Sequence, residues 1–542
     1  MPAGEVVLVA YGEENIILSN DPQITFFKIV YRRYTNFSIE TVQTNFIYQA
    51  VFGKKYSVEI SKLGDLLHKM WLVIELPDIP INFNINNTVN ERLKFKWASK
   101  IAYALIDYVE IEIGGQTIDR QWGEWMNVLN ELNFNNFNSS LDKYIGNTPE
   151  LTTYKFTKDG IKSQYLHIPL FFWFCNNSGL ALPLLCLEYS IIRFYIQLNK
   201  FESCGIFSPS HFIELTNYYG QGILGEPLIQ YNNQGIAWGE FDSVEIQSYD
   251  STLAVTSYYL YYRKISDNQF LTTTTDYYNS IGYNYFDFTT KSNFIIYGLQ
   301  SGSIFIPISS DPNNINSIYI QKQYNYIIPN DIALKNIYLL IDYIYIDREE
   351  RTKFFKNKHE YLVEQIYFSN PKYLINQNNR VFIEIINPCK FFIFMAQVSY
   401  LNNPNVNDFF NYNLYFFNNI KPSYKQFFQQ KSVIKNASFS FNSNQSVDNL
   451  DMNFYNLYNP FINYPMSNIP TGFGLATFSV YPSNIQPSGT CNMSCFNNFE
   501  INTIFNPIDI NYNNYVFKTY AVTYNYLKIT NGVAATIFNS NF

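Results

Sequence analysis

The stretch LIDYVEIEIGGQTIDRQWGEW (residues 105–125) decides the fold class. In its VEIEI segment, Val109, Ile111 and Ile113 alternate with two glutamates. This period of two is typical of a strand with one buried face and one wet face. The glycine pair at 114–115 separates this run from a second alternating run, as in tight two-residue hairpins. The stretch therefore predicts an antiparallel β-hairpin.

A short helix is predicted directly after this hairpin. QWGEWMNVLNEL (residues 121–132) places its large apolar side chains on one helical face, namely those of Trp122, Trp125, Leu129 and Leu132. EERTKFFKNKHEYL (residues 349–362) predicts another turn or two of helix. Other helical patterns are few and short.

Strand patterns dominate the rest of the chain. They are rich in β-branched and aromatic residues and are bounded by Gly, Pro, Asn or Asp, as in SVEI (57–60), IIRFYIQL (191–198) and YLLIDYIYI (338–346). IPLFFWF (168–174) is apolar throughout, so we expect a strand that is covered on both faces. Many strands with occasional short helices predict an all-β protein of sandwiches or barrels.

The composition and the strand pattern of the sequence change between residues 200 and 335. This stretch contains GQGILGEP, long runs of Asn, Tyr and Thr, and the strand-like pieces TSYYLYYRKI (256–265) and GSIFIPI (302–308). A loop without structure would be unusually long here. We therefore predict an inserted β-rich lobe, called the inserted lobe below.

The composition is poor in charge and rich in aromatic residues. Charged residues make up 15% of the 542 residues and aromatic residues 19%, whereas about 25% charge is typical. An AT-rich genome explains such a bias, and so does a surface that neighbouring chains bury, where charge is costly and Tyr is useful. The net charge is −7 and the basic residues are scattered. Direct binding of nucleic acid is therefore not expected.

Targeting segments are not evident. The first residues lack a basic segment followed by a long apolar core, so no signal peptide is predicted. The longest apolar runs, at 168–175 and 391–396, are far shorter than the ~18 residues of a membrane span. The six cysteines form no clear framework, and reduced thiols in a cytosolic setting are expected.

Catalytic and metal-binding patterns are not found. The four histidines are not spaced as HExxH or HxH, and Cys491 and Cys495 lack a second pair at zinc-ribbon spacing. We expect structural thiols there, and neither a catalytic set, a metal nor a cofactor. Two other classes remain open. One is a carbohydrate-binding β-sandwich, which stacked Trp and Tyr with paired carboxylates would favour, although the acidic residues here form no obvious pair. The other is an attachment or fibre protein, a role that the inserted lobe could serve.

Seven stretches resemble, in order, those of the major capsid proteins of nucleocytoplasmic large DNA viruses. They cover most of the chain outside the inserted lobe. They are DPQITFFKIVYRRYTNFSIE (21–40), GDLLHKMWLVIELP (64–77), LIDYVEIEIGGQTIDRQWGEW (105–125), IPLFFWFCNNSGLALPLLCLEYSIIRFYIQL (168–198), IDYIYIDREERTKFFKNKHEYLVEQI (341–366), QPSGTCNMS (486–494) and YAVTYNYLKITNGVAATIF (520–538). The sequence departs from the family pattern in the long stretch at 200–335, the loop at 438–456 and the ending VAATIF.

The resemblance implies a double jelly roll, which consists of two consecutive eight-stranded sandwiches. The expected organisation is an N-terminal arm at 1–35, a first jelly roll at 36–351 that the inserted lobe interrupts at about 200–335, and a second jelly roll at 358–538. In the family such chains are structural, not enzymatic. Homotrimers form pseudo-hexagonal capsomers that tile the outer icosahedral shell of the virion, which is assembled in the host cytoplasm.

The resemblance also implies partners for the arm and the inserted lobe. In the family the arm lies at the inner side of the capsid. Its residues Phe26, Phe27, Lys28, Tyr31, Arg32 and Arg33 are therefore expected to contact minor capsid proteins or neighbouring capsomers. The alternative is an arm that packs on its own domain. Any relation to the inner membrane is expected to be indirect.

We expect the inserted lobe to project outward, where it has the opportunity to contact a host surface. Asparagine is so abundant that most N-x-S/T sequons arise by chance. Asn86, Asn138 and Asn444 are the candidate glycosylation sites on loops.

Overall fold

The computed structural model of the chain describes residues 2–10, 12–13, 19–29, 31–79, 93–132, 139–232, 235–250, 255–265, 270, 295–307, 322–323, 332–399, 407–416, 429–464, 472–506 and 515–538. Strands are numerous in these ranges and helices are short. Asn86 and Asn138 lie outside the described residues.

The strands of the first half run on either side of the inserted lobe. Before the lobe they are β1 (Phe37–Asn45), β2 (Lys55–Glu59), β3 (Leu66–Glu75), β4 (Lys94–Trp97), β5 (Ile106–Ile113), β6 (Gln116–Trp122), β7 (Lys155–Phe156), β8 (Tyr165–Pro169), β9 (Leu182–Pro183) and β10 (Ile192–Leu198). The lobe contributes β11 (Gly205–Ser208), β12 (His211–Tyr219), β13 (Pro227–Asn232), β14 (Gly235–Asp250), β15 (Val255–Lys264), β16 (Ile296–Gly298), β17 (Ile304–Pro307) and β18 (Lys322–Gln323). After it comes β19 (Asn336–Ile346).

The second half is also made of strands. They are β20 (His359–Leu374), β21 (Asn378–Phe382), β22 (Pro388–Val398), β23 (Asn413–Phe416), β24 (Gln429–Ser432), β25 (Ile434–Phe441), β26 (Asn444–Asp451), β27 (Phe473–Thr477), β28 (Cys491–Asn492), β29 (Phe499–Phe505), β30 (Tyr515–Thr530) and β31 (Val533–Thr536).

The helices lie mostly in the connections between strands. The α-helices are α1 (Ala3–Val9), α2 (Ile101–Leu105), α3 (Gly123–Leu132), α4 (Ser139–Tyr144), α5 (Pro149–Thr152), α6 (Trp173–Asn176), α7 (Phe201–Cys204), α8 (Arg348–Lys356) and α9 (Asn459–Asn463). Short 3₁₀ turns occupy Thr157–Asp159, Ser178–Leu180, Leu184–Cys186 and Met493–Cys495, and a π-helical turn occupies Phe454–Tyr458.

Both halves contain two facing sheets with the same strand order. The first sandwich has sheets β1-β19-β3-β8 and β2-β10-β5-β6, and the second has β20-β30-β22-β27 and β21-β29-β25-β26. If the eight strands of each sandwich are numbered along the chain, both give the orders 1-8-3-6 and 2-7-4-5. All neighbours are antiparallel. This arrangement is the jelly roll, so the predicted double jelly roll is confirmed.

The sandwiches also share a short segment, called the return segment below, that lies between the sixth and seventh strands of each. In the first, β9 pairs with the start of β3 and leads into a 3₁₀ turn. In the second, β28 pairs with the start of β22 and leads into a 3₁₀ turn. The stretches GLALPLLC and QPSGTCNMS, which look unrelated as sequences, therefore occupy equivalent places.

The inserted lobe closes into a small barrel. Antiparallel pairings run in a ring from β12 to β15, β14, β13, β16, β17 and back to β12. Its interior is filled by Ile213, Leu215, Leu228, Ala237, Phe241, Leu260, Tyr262, Phe270, Ile296 and Phe305. Closure pairs both edges of each strand in the ring, which protects the backbone from unwanted strand addition.

The hairpin predicted at 105–125 is confirmed. Strands β5 and β6 pair around Gly114 and Gly115, whose φ angles are +61° and +86°. Two successive positive φ angles define the type I′ turn, which fits the twist of a hairpin and favours glycine. The predicted wet face is only partly right, because Glu110 is 4% exposed. Lys55 and Arg120 each lie 2.7 Å from its carboxylate and cover it.

Two other local predictions need correction. IPLFFWF was expected to be one strand, but β8 ends at Pro169 and α6 begins at Trp173. Since Trp173 and Phe174 still pack into the first core, the apolar run reflects burial rather than strand structure. The predicted helix at 121–132 begins later, at Gly123, because Gln121 and Trp122 continue β6.

Candidate assembly surfaces

The N-terminal arm carries the largest run of exposed apolar side chains in the described chain. Phe26, Phe27 and Tyr31 are 87%, 97% and 87% exposed, and the basic residues of the segment, Lys28, Arg32 and Arg33, are exposed too. None of the described residues between Ser19 and Phe37 is buried, so packing of the arm on its own sandwich finds no support there. Exposed apolar side chains in a contiguous run are a common feature of interaction sites.

The arm and the inserted lobe leave opposite ends of the first sandwich. Strand β1 begins at Phe37, which pairs with Ile346 at the far end of β19. The lobe returns to the sandwich at Asn336, which is the near end of β19. Ten residue steps of about 3.3 Å separate these ends by about 33 Å. The molecule therefore has an arm end and a lobe end.

A bridging core joins the two sandwiches. Helix α3 lies against the outer face of β22 and β30, where Trp125 is 1% exposed, stacks on Phe391 and packs at a tilt against Tyr520. The core consists of Trp125, Val128, Leu132, Ile366, Phe391, Ile393, Met395, Tyr412, Tyr464, Phe473, Leu475, Tyr520 and Val522. It explains why β22 is apolar on both faces. Phe392 and Phe394 fill the second core, and the alternate residues of the strand, Phe391, Ile393 and Met395, fill the bridging core.

A carboxylate in this contact receives several hydrogen bonds. Glu124, in the first turn of α3, accepts from Lys518 Nζ at 3.0 Å, from the Tyr520 hydroxyl at 2.8 Å and from the Tyr412 hydroxyl at 3.2 Å. All three donors belong to the second half of the chain. The sequence analysis did not single out Glu124, although an acidic residue between two tryptophans at a helix start was a usable signal.

Ionic contacts hold the inserted lobe to the first sandwich. Lys94 Nζ of β4 lies 2.7 Å from Asp242 of β14, and both side chains are more than 90% buried. Glu240 of β14 accepts a hydrogen bond at 2.9 Å from the hydroxyl of Tyr154, which precedes the lobe in the chain, and it pairs within the lobe with Arg263 of β15 at 2.5 Å. Burial raises the pKa of Glu240, but Arg263 and Lys96 outweigh it and lower the pKa to about 2. The lobe is thus fixed by charge at its base.

Asn444 lies at the arm end of the molecule. It follows the turn at Asn442 and Ser443, both with positive φ, and its side chain is exposed. The Asn442 side-chain oxygen accepts hydrogen bonds from the backbone N–H groups of Asn497 and Asn498, which follow the return segment of the second sandwich. Helix α8 connects the end of β19 to the start of β20, so the second sandwich begins at the end of the molecule from which the arm leaves. The turn at Asn442 and Ser443 lies at this same end. A sugar on Asn444 would lie there.

The histidines occupy separate structural positions. His68 Nδ1 lies 2.8 Å from the Phe174 carbonyl oxygen, and His359 Nε2 lies 2.6 Å from that of Phe354. His211 Nδ1 lies 2.8 Å from Ser210 Oγ, and burial lowers its pKa to about 4. His167 packs edge-on against Tyr144. Within the residues that the structure describes, no group of three or more His, Cys, Asp or Glu side chains is placed to hold a metal.

Helices that could cross a bilayer are not found in the described ranges, since every helix there is too short or too polar.

Two family models match the chain, one in each half. The N-terminal domain of major capsid proteins matches residues 25–233, and the major capsid protein of large eukaryotic DNA viruses matches residues 350–535. "Probable capsid protein 4" of Acanthamoeba polyphaga mimivirus is 31% identical over the whole of both chains. The "Major capsid protein" of Paramecium bursaria Chlorella virus 1 is 36% identical over 36% of this chain and 41% of its own length.

Solved structures share the fold. The Faustovirus major capsid protein aligns with a TM-score of 0.60 and 12% identity over 96% of this chain and 94% of its own. A chain of the PBCV-1 virus capsid aligns with a TM-score of 0.58 and 19% identity over 95% and 100%. The fold is thus that of the double jelly-roll capsid proteins. The chain belongs to the family of major capsid proteins of large eukaryotic DNA viruses, and is a structural component of the virion capsid rather than an enzyme.

Proposed function

We propose that three copies of this chain form a pseudo-hexagonal capsomer and that these capsomers tile the icosahedral shell of a large double-stranded DNA virus. The observation that carries this proposal is the pair of sandwiches with the same strand order, joined side by side by the bridging core. Three chains around a threefold axis then present six similar sandwiches. A nearly hexagonal outline of this kind packs closely across a flat facet.

A closed threefold ring needs only one kind of contact between chains, repeated three times. Such a contact is obligate, so about 2,000 Å² or more of apolar-rich surface is expected to be buried. The low charge and the aromatic content of the chain suit that requirement. Strand β1 is a sheet edge, and Phe37 and Ile39 on it are 52% and 56% exposed, which makes it available to a neighbour.

The arm is proposed to face the inside of the shell. Its exposed Phe26, Phe27 and Tyr31, with basic residues among them, suit a partner that offers apolar and acidic surface. Minor capsid proteins and neighbouring capsomers are the partners we propose. Contact with an inner membrane is then indirect, and nucleic acid is not bound directly.

The inserted lobe is proposed to face outward, because it leaves the end opposite to the arm. At that end it is free to contact a host surface. Assembly of the shell is proposed to take place in the host cytoplasm.

The experiment is mass photometry of the purified protein, followed by negative-stain imaging. A trimer of a 63.6 kDa chain has a mass of about 191 kDa, and class averages should show a hexagonal outline with three projecting lobes. A particle of 63.6 kDa, or a trimer with three-lobed rather than six-sided outline, contradicts the proposal.

A further inference from the structure

Three cysteines of the second sandwich lie close together at the arm end. Cys389 is on β22, and Cys491 of β28 lies directly opposite it in antiparallel register. Cys495 ends the 3₁₀ turn that follows β28. Cys389 is buried, Cys491 half-buried and Cys495 exposed, and all three are free thiols. The group therefore extends from the core to the surface.

The register between Cys389 and Cys491 suits a disulfide. Directly opposite residues in an antiparallel pair have Cα atoms about 4.5–5.5 Å apart and side chains on the same face. Disulfides span Cα distances of about 4.4–6.8 Å. Cys389 belongs to the second core and Cys491 packs against that core, so both side chains point to the same side. A bond between them requires no change of strand pairing.

The three thiols differ in readiness to react. Burial, followed by the neighbouring Cys491, raises the pKa of Cys389 well above its ordinary value, and burial and Cys495 raise the pKa of Cys491. The thiolate is the reactive form, so buried thiols are slow to start an exchange reaction. Cys495 is the most exposed of the three and therefore the one that an oxidant in solution reaches most easily.

We propose that Cys495, Cys491 and Cys389 form a thiol relay that ends in a disulfide between Cys389 and Cys491. The oxidant is a low-molecular-weight disulfide such as oxidised glutathione. The Cys495 thiolate attacks it, forms a mixed disulfide and releases one reduced thiol. Cys491 then attacks the Cys495 sulfur and releases the second reduced thiol.

In the last step Cys389 attacks the Cys491 sulfur, and Cys495 leaves as a thiol. The net change is that two protein thiols lose two electrons and two protons, while one small disulfide is reduced to two thiols. The oxidant and the products therefore balance.

The bond would tie the return segment of the second sandwich to β22. In the first sandwich the equivalent pairs are Leu66 with Pro183 and Leu67 with Leu182, so only the second sandwich carries this chemistry. The thiols of Cys186 and Cys204 donate to the carbonyl oxygens of Phe354 and Ala104, as the Cys389 thiol does to that of Phe391, but neither lies opposite another cysteine in a strand pair. Together with Cys175, these thiols of the first half provide an internal control.

The test is differential alkylation and peptide mass spectrometry of the full-length protein after incubation with oxidised glutathione or with a reductant. The expected result is a Cys389–Cys491 cross-link in the oxidised sample, with Cys175, Cys186 and Cys204 alkylated as thiols. The thermal midpoint of the second sandwich should rise by roughly 5–15 °C. Oxidised but folded protein without this cross-link, or with first-half cysteines linked instead, overturns the proposal.

Two variants test the relay itself. Cys495→Ser should slow formation of the cross-link at least tenfold without changing its final amount. Cys389→Ser should leave Cys491 linked to Cys495, and because the readout is a peptide mass it does not depend on stability. If the Cys495→Ser variant forms the cross-link at the rate of the unchanged protein, the proposed relay is wrong, since Cys491 would then react directly with the oxidant.

Discussion

Glu124 and Lys518 meet across the two sandwiches, with the Lys518 ammonium 3.0 Å from both carboxylate oxygens. They are separated by 394 positions in the chain, and each side chain is only 14% exposed. An ion pair this sheltered from water is costly to break from one side, because the remaining charge stays buried without its partner. The pair therefore couples the stability of one sandwich to that of the other.

Replacement of Glu124 by Ala should destabilise the protein strongly. It leaves the Lys518 ammonium and the hydroxyls of Tyr412 and Tyr520 without their acceptor, and we expect a loss of about 3–5 kcal/mol. Urea unfolding followed by tryptophan fluorescence measures it. The matched control is Glu360→Ala. Glu360 pairs with Lys528 at the surface, where the two side chains are 57% and 45% exposed, and this pair should contribute about 1 kcal/mol or less. Equal effects of the two changes would contradict the prediction.

Replacement of Trp125 by Ala should uncouple the sandwiches. Removal of a fully buried indole costs about 3–5 kcal/mol, and here the cavity opens between Phe391 and Tyr520. Hydrogen exchange should increase in α3 and also in β22 and β30. Trp97→Ala is the control, because Trp97 is 2% exposed but belongs to the first core alone. Its effect should stay in the first sandwich; exchange spreading equally from both variants would be the opposing result.

Asp119 should make stability fall as the pH rises. It is fully buried on β6, and burial raises its pKa to about 8 against an ordinary value of 3.8. Between these values the folded state holds a proton that the unfolded state has released. The contribution of Asp119 to the free energy of unfolding is therefore complete below pH 3.8 and is lost progressively up to about pH 8. The slope should be about 1.4 kcal/mol per pH unit, the value for one proton that only the folded state holds.

Urea midpoints measured from pH 5 to 8 test the role of Asp119. Asp119→Asn should flatten the profile, because its amide does not ionise, whereas Asp159→Asn, at an exposed position, should leave the slope unchanged. A slope that persists in Asp119→Asn would assign the dependence to other groups.

Loss of the arm should spare the trimer and weaken the lattice. Removal of residues 1–24, or the double change Phe26→Ser and Phe27→Ser, takes away exposed apolar surface without touching either core. Mass photometry should still show the trimer, while sedimentation should show fewer assembled arrays. Tyr373→Ser, a change of an aromatic residue that is 74% exposed at the end of β20, serves as control. Loss of soluble trimer would count against the role of the arm.

Local structure was predictable where neighbouring residues determine it. The glycine pair at 114–115 predicts the hairpin because its turn needs positive φ angles that glycine adopts without strain. YLLIDYIYI becomes β19 because its alternation matches a strand with a core side. In contrast, IPLFFWF continues from a strand into a helix, since burial alone made it apolar and burial does not distinguish the two.

Relationships between distant residues were not predictable from one sequence. The contacts of Glu124 span almost four hundred positions, and no local pattern connects them. The closed ring of the inserted lobe also depends on pairings such as His211 with Tyr262, which propensity does not determine. The run FFIFMA did carry a signal: apolar residues at successive positions of β22 indicate a strand between two cores.

The closed ring of the inserted lobe has a consequence for how the protein diverges. Loops between its strands can lengthen, shorten or change in composition while the hydrogen-bonded wall remains complete. Such a unit can vary in sequence independently of the two sandwiches, while the Lys94–Asp242 pair at its base keeps it attached. Related viruses would then be able to differ in the inserted lobe while they keep the same double jelly roll beneath it.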